Sequence, residues 1–190
     1  MKKIIGILKE NLSENRINHS LGVARTAFYL ASKHLPEKKE KAFLAGIIHD
    51  LAREWPEEKY LTYLKNKGYV ILPEDLKLPV VLHAPAGAYY AEEILGITDE
   101  EILNAISLHT LGAVKMTKLE QIVFLADLIE PGRRFPAKNK ILKECFLNLD
   151  RGMVLALENT VNYLKGENKL IDPRTILVLN YFREKVANNA

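Results

Sequence analysis

The stretch Ala42 to Arg53 reads AFLAGIIHDLAR. It sets Leu44, Ile47, Ile48 and Leu51 at helical spacing and carries His49 and Asp50 side by side. Apolar residues recurring at that period turn one stripe of a helix toward a core. His49 and Asp50 fall off the stripe. Neighbours on a helix project about 100° apart, so the two can approach one ion from two directions while the helix stays intact. Gly46, one turn earlier, is expected to leave room beside them. An adjacent His and Asp also occurs on ordinary solvated helix faces, so the pair gains meaning only from the residues around it in the fold.

Outward from this stretch, nearly every segment has helical period and none shows sustained strand alternation, which predicts an all-α fold, a compact multi-helix bundle. A first helix is expected over Lys2 to Glu14 and a second over Asn18 to His34, closed by Pro36. After the organising helix, Pro56 opens and Gly68 ends a short one, the expected asymmetry of the two residues. Tyr69 to Pro79, interrupted by two prolines, reads as a connecting loop. Helices resume at Val80 to Leu95. The next has Thr98 and Glu101 as a capping box, and another spans Thr117 to Glu130, stopped by Pro131 and Gly132. A long helix is expected over Asn139 to Lys165, and Asp172 with Pro173 supplies cap and first turn for the last.

The chain has 190 residues, 48% hydrophobic and 27% charged, enough for one good core, so residues 1–190 are expected to form a single domain. A net charge of +3 is too small to argue for a nucleic-acid surface, and no dense basic block with interleaved aromatics occurs. With Cys145 as the single cysteine there is no disulfide framework and no thiolate metal knuckle, and a reduced cytoplasm fits best. The opening MKKIIGILKENL is cut by Lys9 and Glu10 and lacks a small-residue cleavage site, so it reads as an amphipathic helix and not a signal peptide. No apolar window approaches the ~20 residues needed to span a bilayer.

Asp127 sits in IVFLADLI, surrounded by apolar side chains. A carboxylate there is expensive unless it is paired or bound to a cation. A buried Asp capping a loop or pairing with an Arg is the plain alternative. His19 lies in RINHSLGVA, where Asn18 or Ser20 could make an ordinary capping segment; His83 lies in VVLHAPAG and His109 in AISLHTLG. Four imidazoles and two carboxylates without thiolates suit iron, manganese or zinc better than calcium, magnesium or copper(I). An ion held by His19, His49, Asp50 and Asp127 would leave positions open for water and substrate, and hydrolysis at phosphorus by a metal-bound water follows. Neither a phosphate-binding GxxxxGKS/T loop nor HExxH is present, and Cys145 has no evident base partner. Trp55, Tyr89 and Tyr90 are read as packing residues.

The order of these residues, a His, then HD, two further His and an Asp in an apolar helix, resembles the HD-domain metal-dependent phosphohydrolases. The wording of RINHSLGVA, HDLAR, LHAPAGAY, ISLHTLG, LADLIEPGRRFP and LIDPRTI, in order along almost the whole chain, is similar to the YqeK-type symmetrical bis(5′-nucleosyl)-tetraphosphatases. The HD pair is a weak signal; EPGRRF and DPRTI are far more specific. The resemblance implies cleavage of diadenosine tetraphosphate to two ADP with bound iron. It assigns the metal to His19, His49, Asp50 and Asp127. It assigns phosphate contacts to Arg16, His83, His109, Thr110 and Arg133, and the nucleoside end to Leu170, Ile171, Asp172, Pro173 and Arg174. Asp50 with His83 or His109 would be catalytic. Spacing leaves open whether these two histidines hold a second ion or touch phosphate. The chain departs from the family pattern at Arg53, where Lys is common, and at Ala84, where relatives carry Gly. An HD phosphohydrolase of another nucleotide, a nucleotide sensor that does not turn over, and a helical scaffold with incidental histidines are the competing readings. The expected partner is a small nucleotide, with no nucleic acid and no membrane. The sequence is compatible with a homodimer and does not fix the oligomeric state.

Overall fold

The computed structural model describes residues 2–189, which form helices joined by short turns, with no strand among the described residues. Eleven α-helices follow in order: α1 (Lys2–Asn11), α2 (Glu14–His34), α3 (Lys39–Ile48), α4 (Glu57–Asn66), α5 (Pro73–Lys77), α6 (His83–Leu95), α7 (Glu100–Ser107), α8 (Lys118–Ile129), α9 (Lys138–Leu147), α10 (Leu149–Gly166) and α11 (Pro173–Asn188). The all-α expectation therefore holds. Among the described residues, no helix is long and apolar enough to cross a membrane.

The centre of the molecule is the packing of α3 against α2, α7 and α8. Ile47, Ile48 and Leu51 are fully buried with Ala24, Leu30, Ile122 and Leu125, as the helical spacing of the apolar residues requires. A second, smaller cluster gathers Trp55, Tyr60, Leu64, Leu82 and Ala86 around α4. Trp55 and Tyr90 meet edge to face there at 4.9 Å, so these aromatics pack with one another.

Several boundaries differ from the sequence expectation. The first helix stops at Asn11 because Ser13 caps a new one, accepting from the Arg16 amide, and so α2 begins at Glu14 and His19 lies more than a turn inside it. The organising helix ends at Ile48. His49 and Asp50 stand in the turn beyond, where Leu51 N donates to Ile48 O and Arg53 N to Asp50 O, so the HD pair is presented by a helix end and not from within a helix. Pro73 and Pro79 start helical turns where a loop was expected, because a proline at a first turn forfeits no hydrogen bond. Asp99, not Thr98, caps α7, and Glu101 turns outward to Lys38 and Lys41. The long helix expected over Asn139 to Lys165 is broken at Asn148, whose extended backbone caps α10 through its side chain. Asp172 and Pro173 open α11 as expected.

Gly46 does not leave space for the HD pair. A Cβ there would lie 2.9 Å from the Cα of Ala24, so the missing side chain lets the backbones of α2 and α3 touch, one turn from both His19 and His49.

Candidate metal centre

Five helices or their ends deliver the polar residues to one buried point: the second turn of α2 brings His19, the turn after α3 brings His49 and Asp50, the start of α6 His83, the turn after α7 His109, and α8 Asp127. His49 is fully buried, and Asp50, His83 and His109 nearly so. Ligand atoms of His19, His49 and Asp127 lie within 4.8 Å of one another, as do those of His49, Asp50 and His109.

Ring orientation is set locally for three of the four imidazoles. His49 Nδ1 meets Gly46 O at 2.8 Å, His109 Nδ1 meets Ile106 O at 2.7 Å, and His83 Nδ1 meets Val80 O; each partner is the carbonyl three residues back. A carbonyl only accepts, so Nδ1 carries the proton and Nε2 faces the cluster with its lone pair. His19 is held differently. Its Nδ1 lies 3.1 Å from Oε1 of Glu130, a buried carboxylate that sequence reading missed. Glu130 also accepts from the amide of Gly132, and it fits because Gly22 and Gly132 lack side chains: a Cβ at Gly22 would stand 2.6 Å from its Oε2. The signal available in the sequence was an acidic residue closing an apolar helix before Pro131 and Gly132, which reads equally well as a helix end.

Whether these residues suit a metal is decided by atoms left without partners. Nε2 of His19 and of His49 are buried with no hydrogen-bond partner. Asp127 Oδ1 stands 3.0 Å from His19 Nε2 but off the line of a hydrogen bond, and 3.8 Å from His49 Nε2. Two inward lone pairs beside two carboxylates form a nitrogen and oxygen donor set for a divalent cation.

The charge of the cluster is balanced from the solvent side. Arg16 Nη1 reaches Asp50 Oδ2 at 2.9 Å, and Arg133 Nη2 reaches Asp127 Oδ1 at 2.7 Å. Burial works against ionisation of Asp50, but the His49, His109 and His83 rings packed around it hold its carboxyl well below the usual range. Asp127 behaves alike: burial opposes its charge, and His19, His49 and Arg133 outweigh it. Burial lowers His83, with Asp50 pulling the other way and His109 adding to the fall. His83 and His109 bring Nε2 to Nε2 at 3.0 Å, and Asp50 Oδ1 lies 3.1 Å from the first and 3.6 Å from the second.

A cavity of about 320 Å³ opens onto this cluster, lined by Asp50, His83, His109, Thr110, Asp127 and the arginines 16, 53 and 133. Arg53 has no carboxylate partner among the described residues and was not among the expected phosphate contacts. A second cavity of about 320 Å³ shares Val81 and Thr110 with the first and holds Tyr69, Leu82, Pro85 and Arg174. Of the segment Leu170 to Arg174, Arg174 lines that cavity; Asp172 is buried beneath as the α11 cap, while Leu170 is half exposed. Arg174 is pinned by Asp172 Oδ2 at 2.6 Å and by Asp75, a further buried carboxylate the sequence did not point to.

Comparison with known proteins agrees with this geometry. The HD domain model matches residues 16–132, which run from Arg16 through the glycine that closes on Glu130. The symmetrical bis(5′-nucleosyl)-tetraphosphatase of Halalkalibacterium halodurans is 37% identical over 94% of both chains. That of Bacillus subtilis is 34% identical over 95% of this chain and 96% of its own. The crystal structure of a predicted HD superfamily hydrolase involved in NAD metabolism from Clostridium acetobutylicum superposes with a TM-score of 0.93 at 38% identity, covering 97% of each chain. With its histidines and aspartates gathered as described and these relatives matching nearly end to end, the chain belongs to the HD-domain family.

Proposed function

We propose that this chain hydrolyses diadenosine tetraphosphate symmetrically to two ADP, using a divalent ion held by His19, His49, Asp50 and Asp127. The observation that carries the reading is the convergence of inward imidazole nitrogens and two ionised carboxylates on one buried point, with arginines on its solvent side. The names of the two relatives above supply the substrate. Iron is our assignment, with manganese or another divalent transition metal as the alternative, because the donor set lacks thiolates. When bound, such an ion supplies a Lewis acid for a phosphoryl oxygen and a water acidified toward neutrality.

The chain's own residues do the rest. Arg16 and Arg133, joined on one edge to the ligand carboxylates, offer their remaining N–H groups to phosphate oxygens, and a guanidinium keeps its charge at any working pH. Arg53 and Thr110 line the same cavity and extend that contact. His83 and His109 have both committed Nδ1 to backbone carbonyls and bring Nε2 beside Asp50 on the wall of the same cavity, where these rings meet the departing phosphate. Arg174, held rigid by Asp75 and Asp172, closes the apolar cavity that receives the nucleoside.

The test is elemental analysis of the purified protein alongside chromatographic separation of products. Two ADP per diadenosine tetraphosphate are expected; ATP with AMP, or no cleavage by metal-loaded protein, overturns the reading. His49→Ala and Asp127→Ala are expected to lose metal and turnover together, and full activity in either refutes the ligand assignment.

A further inference from the structure

A cut between the middle phosphates leaves two equal halves, so the cluster must seat a nucleoside diphosphate on each side. The flank formed by His83, His109, Thr110 and Arg174 accounts for one. We infer that the other half lies along the exposed face of α2, its phosphates between Arg16, Arg133 and Arg25 and its base against Phe28, Tyr29 and Phe43. This placement rests on the tetraphosphate reading above.

Asn15, Asn18, Gly22, Arg25 and Tyr29 recur at alternating steps of three and four, one face of a helix. A cavity of about 720 Å³ lies over the first four, and an adjoining hollow continues from Arg25 to Phe28, Tyr29 and Phe43. Arg16 and Arg133 line both this cavity and the metal cavity, so the path from the cluster is continuous. Along α2, Arg25 stands roughly 9 Å and Tyr29 roughly 15 Å from His19 at 1.5 Å rise per residue. That order, metal, guanidinium, aromatic ring, follows the order of phosphate, ribose and base in a nucleotide.

Charge supports the same occupant. Arg25 is exposed and makes no ion pair among the described residues, while the two carboxylates facing the cavity are engaged. Glu54 accepts from the amide and hydroxyl of Ser13, and Glu130 from Gly132. Arg25 is therefore the guanidinium on this face left without a carboxylate partner among the described residues, open to an anion. At its far end Tyr29 is 62% exposed, with Phe28 edge-on to it at 5.9 Å and to Phe43 at 6.5 Å, which leaves a ring face for a base to stack on. Glu40 lines the same hollow and accepts from the exocyclic amine of adenine.

The experiment measures binding of a diadenosine tetraphosphate analogue with a methylene central bridge to metal-loaded wild type, Arg25→Ala and Tyr29→Ala by calorimetry. It also measures the ratio of kcat/KM for diadenosine tetraphosphate to that for adenosine 5′-tetraphosphate, which lacks the second nucleoside. Both substitutions lie on the surface, and circular dichroism melts check folding. Each variant is expected to weaken the analogue about tenfold, and Tyr29→Ala to lower the kcat/KM ratio by the same factor. If wild type makes ADP but neither quantity moves in the variants, the α2 subsite is wrong and the assigned reaction stands. If wild type makes no ADP from diadenosine tetraphosphate, the reaction and the subsite fall together.

Discussion

Gly46→Ala adds one methyl group where α3 crosses the backbone of α2. The new Cβ would lie 2.9 Å from Ala24 Cα, 3.1 Å from Ala24 N and 3.3 Å from the Val23 carbonyl carbon, against 3.4 Å for ordinary contact. Every neighbour is main chain, so no side chain can swing away, and the two helices must part by about half an ångström at that point. Overpacking of this kind costs about 1–3 kcal/mol. Alanine in place of glycine within a helix returns about 1 kcal/mol. The net loss is therefore about 1 kcal/mol, a fall in Tm of about 2–4 °C for a chain of this size. Gly6→Ala in α1 is the control: nothing lies within 4 Å of its Cβ, so the helical gain stands alone and Tm should rise by a similar amount. Because α2 carries His19 and α3 leads to His49, the parted helices should also lower turnover by about tenfold, since a misplacement of 1 Å costs about a hundredfold. Thermal unfolding of metal-free protein by circular dichroism, with product assays on the loaded form, measures both. If Gly46→Ala is stabilised as much as Gly6→Ala and turns over like wild type, the close crossing does not position the ligands.

Glu130→Gln should keep the fold yet weaken metal affinity about 10–100-fold, read by competition with a chelator, because His19 loses the carboxylate that fixes Nδ1; unchanged affinity would show that the α2 backbone alone orients the ring. Burial pushes the Cys145 thiol up to about 12, so the folded protein at pH 8 should resist iodoacetamide while unfolded protein reacts, as mass spectrometry would show. Hydrogen bonds from Arg174 hold the Asp172 carboxyl below its ordinary value, against burial. Its folded value lies below the unfolded one of about 3.9, so its contribution is complete above that pH and disappears as pH falls through the folded value. Asp172→Asn keeps a capping side chain, and its urea midpoint should therefore trail wild type at pH 6 and converge with it in acid; a gap constant with pH would refute the linkage.

The helical architecture was legible because α3 and α8 write their buried faces as apolar residues at helical spacing, and because Asp172 with Pro173 marks a helix start that tertiary contacts do not alter. The proposed metal ligands stood out for another reason: Asp127 is a carboxylate set among apolar side chains, and His49 stands beside Asp50 at the end of an apolar run. Boundaries fared less well where two local signals compete. Ser13 outbids Asn18 as the start of α2, Asp99 lies one residue past Thr98, and Asn148 interrupts a run whose apolar period continues across it. Glu130 and Asp75 escaped notice because nothing local separates a buried acidic residue near a helix end from an exposed one. Their burial is fixed by Gly22 across the fold in one case and by Arg174, 99 positions away, in the other. Gly46 was read as space for the site, and its real occupant is another helix, a distinction that only three-dimensional contact can draw.

The bond that His49, His83 and His109 each make to the carbonyl three residues earlier has a consequence for how the protein handles loss of its ion. A ring aimed from within its own turn keeps its aim when the centre is stripped, since no coordination bond is needed to hold it. Small zinc modules that unfold without metal must gather their ligands and bind in one event. Here the gathering belongs to the folding of the helices, so chelation should leave an intact shell that reloads at the pace of diffusion and ligand exchange, with no refolding phase between.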